Sequence, residues 1–199
     1  MSVARAPWNS WRLKNLSIEP ELSGANLSEA NLVRADLSRA ELSETDLSRT
    51  NLAGADLQEA DLSRADLPST NLVMADLCRA DLPGAKLSEA NLSRAELSEA
   101  DLMNANLKST NLLRAILFRA DLVRADLSGA DLMWADLSEA DLTKAILAGA
   151  TLSGADLSTA SLTQEELEPA TGDENTRLPP DLHPPAHWAV KTDEQLRED

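Results

Sequence analysis

Leucine occupies every fifth position of this chain from Leu22 to Leu167 without a break. Two residues before the leucines, from Ala25 to Ala160, stands a small residue: Ala everywhere except Thr45, Thr50, Thr70 and Thr110. The residue between is mostly Asp or Asn, as in Ala35-Asp36-Leu37, and the last two positions of each unit vary. A period of five matches neither the 3.6 of a helix nor the 2 of a strand. On a helix these leucines drift round every face, and on a flat strand they alternate sides. They are buried together only if the chain turns a corner every five residues, four corners to a coil of twenty. Leu then points inward from each side and the small residue fits the cramped interior beside the corner. Asp or Asn suits the turn because its side chain bonds nearby backbone. Backbone groups pair with the coils above and below, about 4.8 Å away, so seven coils make a rod about 34 Å long. Each buried Leu contributes about 1.5–3 kcal/mol of transfer free energy against the ordering entropy of the chain.

With these residues in view, the run from Ala25 to Leu162 resembles the pentapeptide repeat family of bacterial proteins, whose units read A(D/N)LXX. The resemblance implies an all-β fold, a right-handed quadrilateral parallel β-helix; the periodicity alone does not set the hand. Coiled coils and leucine-rich repeats have other periods. The organisation expected is an N-terminal cap over 1–24, the β-helix over 25–162, a short helix over 163–172 and a Pro-rich, acidic tail over 173–199. In the cap, Trp8, Trp11, Leu13, Leu16 and Ile18 are candidates to cover the first coil, since an open solenoid edge needs covering. Thr163-Gln164-Glu165-Glu166 reads as a capping box, Leu167 holds the helix to the last coil, and Gly172 ends it. Asp173 to Trp188, with its prolines, reads as a strap over the core or a disordered tail, or else as a docking or dimer segment, and Lys191 to Asp199 as a mobile end.

The net charge of −16 argues against nucleic acid and anionic membrane as direct partners. Cys78 is the only cysteine, so no intramolecular disulfide forms. No apolar run reaches membrane-spanning length, and Met1 to Pro7 lacks a secretory signal. The expectation is a soluble cytoplasmic protein.

If residues twenty apart stack, the exterior sorts into four faces. The face on Leu37 through Leu157 is acidic: Asp36, Asp56, Glu59, Asp76, Glu96, Glu99, Asp136, Glu139 and Asp156 outnumber Arg39, Arg79 and Arg119. Its two neighbours, on Leu42 through Leu162 and on Leu27 onward, are less acidic. The face on Leu32 through Leu152 differs, with Arg34, Arg94 and Arg114 against Asp131 alone. Asn31, Asn51, Asn71, Asn91 and Asn111 run in register there, beside Val33, Ala53, Val73, Leu113 and Met133, with Met74 and Trp134 near. At the corner towards the acidic face, Ile116 takes the usual Asp position and Phe118 is the only Phe.

The composition of Leu113, Arg114, Ile116, Phe118, Met133 and Trp134 matches that of protein interfaces. Neutral variation at unconstrained exterior positions explains the same residues, and both readings stand at this level. The function expected is a non-enzymatic protein–protein interaction or scaffold module with an unidentified protein partner. The family resemblance adds an alternative, a DNA mimic that binds DNA gyrase, for which the acidic face is the candidate surface. Its nine acids approach the phosphate count of one DNA strand over the same length, but three Arg dilute them. The inward position is uniformly Leu, where the gyrase-active members use more Phe. The resemblance also suggests a homodimer through the C-terminal end. An enzyme is not expected: His183 and His187 have no Cys or close acids to complete a metal site. No Gly-rich phosphate loop occurs, and repeated surface acids are no organised acid/base pair. No catalytic residue, cofactor or metal is assigned.

Overall fold

The computed structural model describes residues 7–15 and 17–188. Residues twenty apart are bridged in parallel along the chain, from Glu21 with Glu41 to Asp141 with Ser161. The result is a four-sided solenoid in which each side of each coil contributes a single bridge per neighbour. Leucines from Leu37 to Leu157 and the small residues beside them line one continuous core, the leucines at 0–1% exposure.

One repeat, Asn71 to Ala75, shows why the pattern holds. Asn71 N–H donates to Thr50 O in the preceding coil at 3.0 Å, and Leu72 N–H to Asn91 O in the next at 2.7 Å. The Val73 N–H is taken by the Asn71 side chain at 3.2 Å. Met74 N–H reaches Ser93 O at 3.1 Å, and Ala75 N–H closes the turn on Leu72 O at 3.0 Å. All five backbone donors are satisfied, three of them between coils, as a buried backbone demands. Buried Thr hydroxyls follow the same logic: Thr45, Thr50, Thr70 and Thr110 each donate at 2.8 Å to the carbonyl of Leu22, Leu27, Leu47 and Leu87 respectively.

The second variable position has a constraint the repeat does not announce. From Gly24 to Gly154 every residue there has positive φ, six of them Gly and the rest Arg, Glu, Ser, Asn, Met, Lys and Trp. Such a backbone costs a non-Gly residue about 1–2 kcal/mol, offset here by the inter-coil bond its N–H makes. Pro68 and Pro83 stand at the first variable position and never at the second. Pro before Gly across a turn closed from Ala N–H to Leu O is the signature of a type II turn.

The two ends are built differently. Helix α1, Pro7–Arg12, lies against the first coil. Trp8 Nε1 donates to Asp36 O at 2.7 Å, Asn9 accepts the Asp36 N–H at 3.0 Å, and Arg12 donates to Ser38 O at 3.2 Å. These side chains replace the coil that is missing at that side. Arg12 is buried and pairs with Asp36 at 3.5 Å. Of the expected apolar cap, Trp8 packs against the core, but Trp11, Leu13 and Ile18 are exposed, and Leu16 lies outside the described residues. Polar donors, not apolar bulk, cover this edge because its open groups are mostly carbonyls. On the sides carrying Asn26 and Asn31 the first coil stays uncovered among the described residues, and Leu22, Leu27 and Leu32 are partly exposed.

At the other end helix α2 spans Gln164–Leu167, with the capping box between Thr163 and Glu166 in place. It ends well before Gly172, because Pro169 has no N–H to continue it. Gly172 instead lies under the Trp188 ring, where a Cβ would collide. Thr171 and Arg177 add bridges to the seventh coil. The orphan corner N–H groups there are taken up: Glu139 by Thr159 Oγ1, Lys144 by the Glu166 carboxylate, Gly149 by Pro169 O and Gly154 by Asp173. Leu178 and Leu182 pack on the core and Trp188 is buried, its Nε1 donating to Ala170 O at 2.7 Å. The Pro-rich segment is thus a strap as far as Trp188; Lys191 to Asp199 lies outside the described residues, as does the N-terminal stretch before Pro7.

Candidate interaction surface

Columns of residues twenty apart decide the electrostatics of the exterior. At the positive-φ corner positions, opposite charges meet one coil apart: Arg79 with Glu59 at 2.9 Å, Arg119 with Glu139 at 2.7 Å, Arg49 with Glu29 at 3.5 Å and Arg64 with Glu44 at 3.8 Å. Elsewhere Lys86 pairs with Asp66, Lys108 with Asp126 and Arg177 with Asp156. Exposed pairs of this kind each contribute about 0–1 kcal/mol, but they neutralise the corners.

The acidic face is the most self-occupied. Asp36, Asp56, Asp76, Glu96, Asp136 and Asp156 each accept the backbone N–H two residues on, at 3.0–3.3 Å. Glu59 and Glu139 sit in the Arg pairs just described. Burial, with Asp36 and Asp76 stacked on either side, raises the Asp56 pKa. Asp81, between Asp61 and Asp101 on the next face, is raised by burial and the same repulsion. The carboxylates of these ladders are turn-forming groups first. Cys78 is half-buried, and burial together with Asp76 and Glu96 pushes its thiol up, away from the reactive thiolate.

The asparagine face is the exception. Asn31, Asn51, Asn71, Asn91 and Asn111 form the same turns without charge, and Asn71 Nδ2 also donates to Asn51 Oδ1 at 3.0 Å. Among the described residues Arg34, Arg94 and Arg114 have no ion pair. Met74 is 64% and Trp134 50% exposed. The Trp134 ring lies flat on Gly154, one coil on, where a Cβ would sit 2.5 Å from it. Leu113 and Met133 are half-buried between these corners. Ile116 is exposed, and it cannot accept the Phe118 N–H as an Asp would. Phe118 is half-buried beneath the Arg119 guanidinium, 4.9 Å from its ring centroid, so it belongs to the paired ladder of the acidic face. The six residues of the candidate patch therefore fall in two adjoining coils, four of them on the asparagine face and two round its corner.

Sequence reasoning passed over Ile146, which is exposed in an Asp position beside α2. It also passed over the partnership of Trp134 with Gly154, whose spacing of twenty is its visible signal. His183 is exposed, and His187 Nε2 lies 2.8 Å from Ala170 O as part of the end cap. Among the described residues no group of three or more His, Cys, Asp or Glu side chains is placed to hold a metal ion, and no helix is long and apolar enough to cross a membrane.

Comparison with known proteins agrees with this geometry. No curated protein matches the chain by sequence. Among solved structures, HetL, a pentapeptide repeat protein involved in heterocyst differentiation regulation in the cyanobacterium Nostoc sp. strain PCC 7120, is 33% identical. That match has a TM-score of 0.59 over 84% of this chain and 89% of HetL. QnrB1, a plasmid-mediated fluoroquinolone resistance protein, superposes in trypsin-treated form with a TM-score of 0.61 at 20% identity, over 78% of this chain and 91% of that one. The fold is the right-handed quadrilateral β-helix of these proteins. The model of pentapeptide repeats matches segments running from residue 21 to residue 164, and with the corner geometry and the HetL match it makes this chain a member of the pentapeptide repeat family.

Proposed function

We propose that the chain is a non-enzymatic interaction module whose docking surface is the asparagine face and its corner at Leu113, Arg114, Ile116, Phe118, Met133 and Trp134. The observation that carries this reading is the contrast between faces. The acidic face is taken up by its own turns and Arg–Glu pairs, whereas the asparagine face, its turns made without charge, presents Arg34, Arg94 and Arg114 beside an exposed Trp and Met. Arg and Trp with a desolvated apolar surround are the residues that dominate protein recognition.

The test is recovery of bound partners by tagged protein, cross-linked in its source cells, compared with Trp134→Ser/Met133→Ser and with Glu59→Gln/Glu99→Gln. Partners that vanish with the first variant and persist with the second support the reading. Partners kept by the first and lost with the second move the interface to the acidic face. Imitation of DNA is the weaker alternative. QnrB1 shares the fold at low identity, and the acidic face spends its carboxylates on backbone N–H groups and Arg, which DNA phosphates do not. A DNA gyrase supercoiling assay with saturating protein is expected to show no change; inhibition or protection overturns that expectation.

A further inference from the structure

Arg94 and Arg114 stand one coil apart in a single column, about 4.8 Å by the spacing of paired strands, and both have positive φ. Like charges so placed repel, and the paired columns of this protein avoid it by alternating sign. Among the described residues one other stacked pair of bases occurs, Arg124 and Lys144, and there Asp121 and Asp141 stand three residues before each. For Arg94 and Arg114 the corresponding residues are Asn91 and Asn111. Ile116, two residues beyond Arg114, occupies the site where the repeat normally puts a carboxylate. The next residue in the column is Trp134, held flat on Gly154. A chain of net charge −16 thus stacks two Arg over Asn rather than Asp, with the flanking Glu96 carboxylate bonded to Ser98, and sets an indole beside them.

Resting on the docking reading above, we infer that this notch takes an acidic segment of a partner polypeptide, its carboxylates on Arg94 and Arg114 and an apolar side chain against Trp134, Met133 and Leu113. Two guanidiniums side by side match successive carboxylates in bidentate pairs. The surrounding negative field of the other faces repels polyanions that are not seated on this stripe, which favours a short acidic segment over nucleic acid.

The probe is a short fluorescent peptide of repeating Glu-Glu-Leu-Gly, with Gln-Gln-Leu-Gly and Lys-Lys-Leu-Gly versions, titrated against the full chain by anisotropy at low and high salt. The Glu peptide is expected to bind, more weakly at high salt; the acidic faces draw the Lys peptide as well, but reversing Arg94 and Arg114 does not weaken that binding. Arg94→Glu with Arg114→Glu is expected to weaken binding by about tenfold or more, while Arg124→Glu leaves it unchanged. Circular dichroism of each variant shows that the coil is intact. No binding of the Glu peptide, or no loss of its binding with the double reversal, overturns the inference. So does tighter binding of a single-stranded oligonucleotide. If the Gln peptide binds as tightly as the Glu peptide and Trp134→Ser abolishes both, the docking face survives and its preference for acids does not.

Discussion

A single atom separates the two kinds of glycine in this rod. Gly129 and Gly154 share the same backbone, with φ of 68° and 69°, but a Cβ on Gly129 would touch only Ser109 Oγ at 3.5 Å, whereas one on Gly154 would strike the Trp134 ring. Gly129→Ala therefore carries only the backbone cost, about 1 kcal/mol. Gly154→Ala adds displacement of the indole, for a total of about 2–3 kcal/mol. Thermal melts of the two variants give the difference, and a shift of Trp emission in Gly154→Ala alone identifies its source. At this scale the sequence is most and least informative by turns. Leu and Ala are readable because burial leaves them no choice. The positive-φ position is hidden because Arg occupies it more often than Gly does, and Glu as often. Its signal lay in what is missing, since no Val, Ile or Pro stands there before Thr159. Trp134 was visible as an oddity, but that it needs Gly154 beneath it follows only from the stacking.

Each column of turn residues is an element in its own right, and its charge sets how the protein responds to pH. Asp56 and Asp81 have raised pKa values, from burial first and stacked Asp neighbours second. Their contribution to stability is present below the ordinary carboxylate pKa and is lost as the pH rises through their folded values. Asp46 is lowered by the Ser48 hydroxyl and N–H. In Asp126 burial pushes the other way, but the Ser128 hydroxyl and Lys108 outweigh it. These contribute above the ordinary pKa and weaken as the pH falls. Asp81→Asn should leave the turn intact, since Pro83 has no N–H for the Asp81 side chain to accept, and remove the repulsion. The melting temperature at neutral pH is expected to rise, on the scale of a few tenths of a kcal/mol typical of exposed charges. At a pH below the ordinary carboxylate pKa the gain should disappear. The ladders were legible from the spacing, whereas the ion pairs of the corners were not: side chains meet twenty residues apart only because the corner turns them outward.

For the whole molecule, four sides to a coil make the faces a matter of counting. Every core position accepts Leu or a small residue, so the interior of one coil fits any other in any of four orientations. Inserting one unit, Asn-Leu-Ser-Gly-Ala, after Ala105 is expected to change the melting temperature little, since each end cap keeps its own coil and no ion pair spans the joint. Yet it turns everything beyond the joint by a quarter: Arg114 leaves the column of Arg94, and the peptide titration should register the loss. Insertion of a full coil of four units restores the orientation and only separates the two Arg along the rod. A lineage built this way can rewrite its surface in one step without risking its core, with the quarter turn serving as a combination lock whose tumblers are already cut.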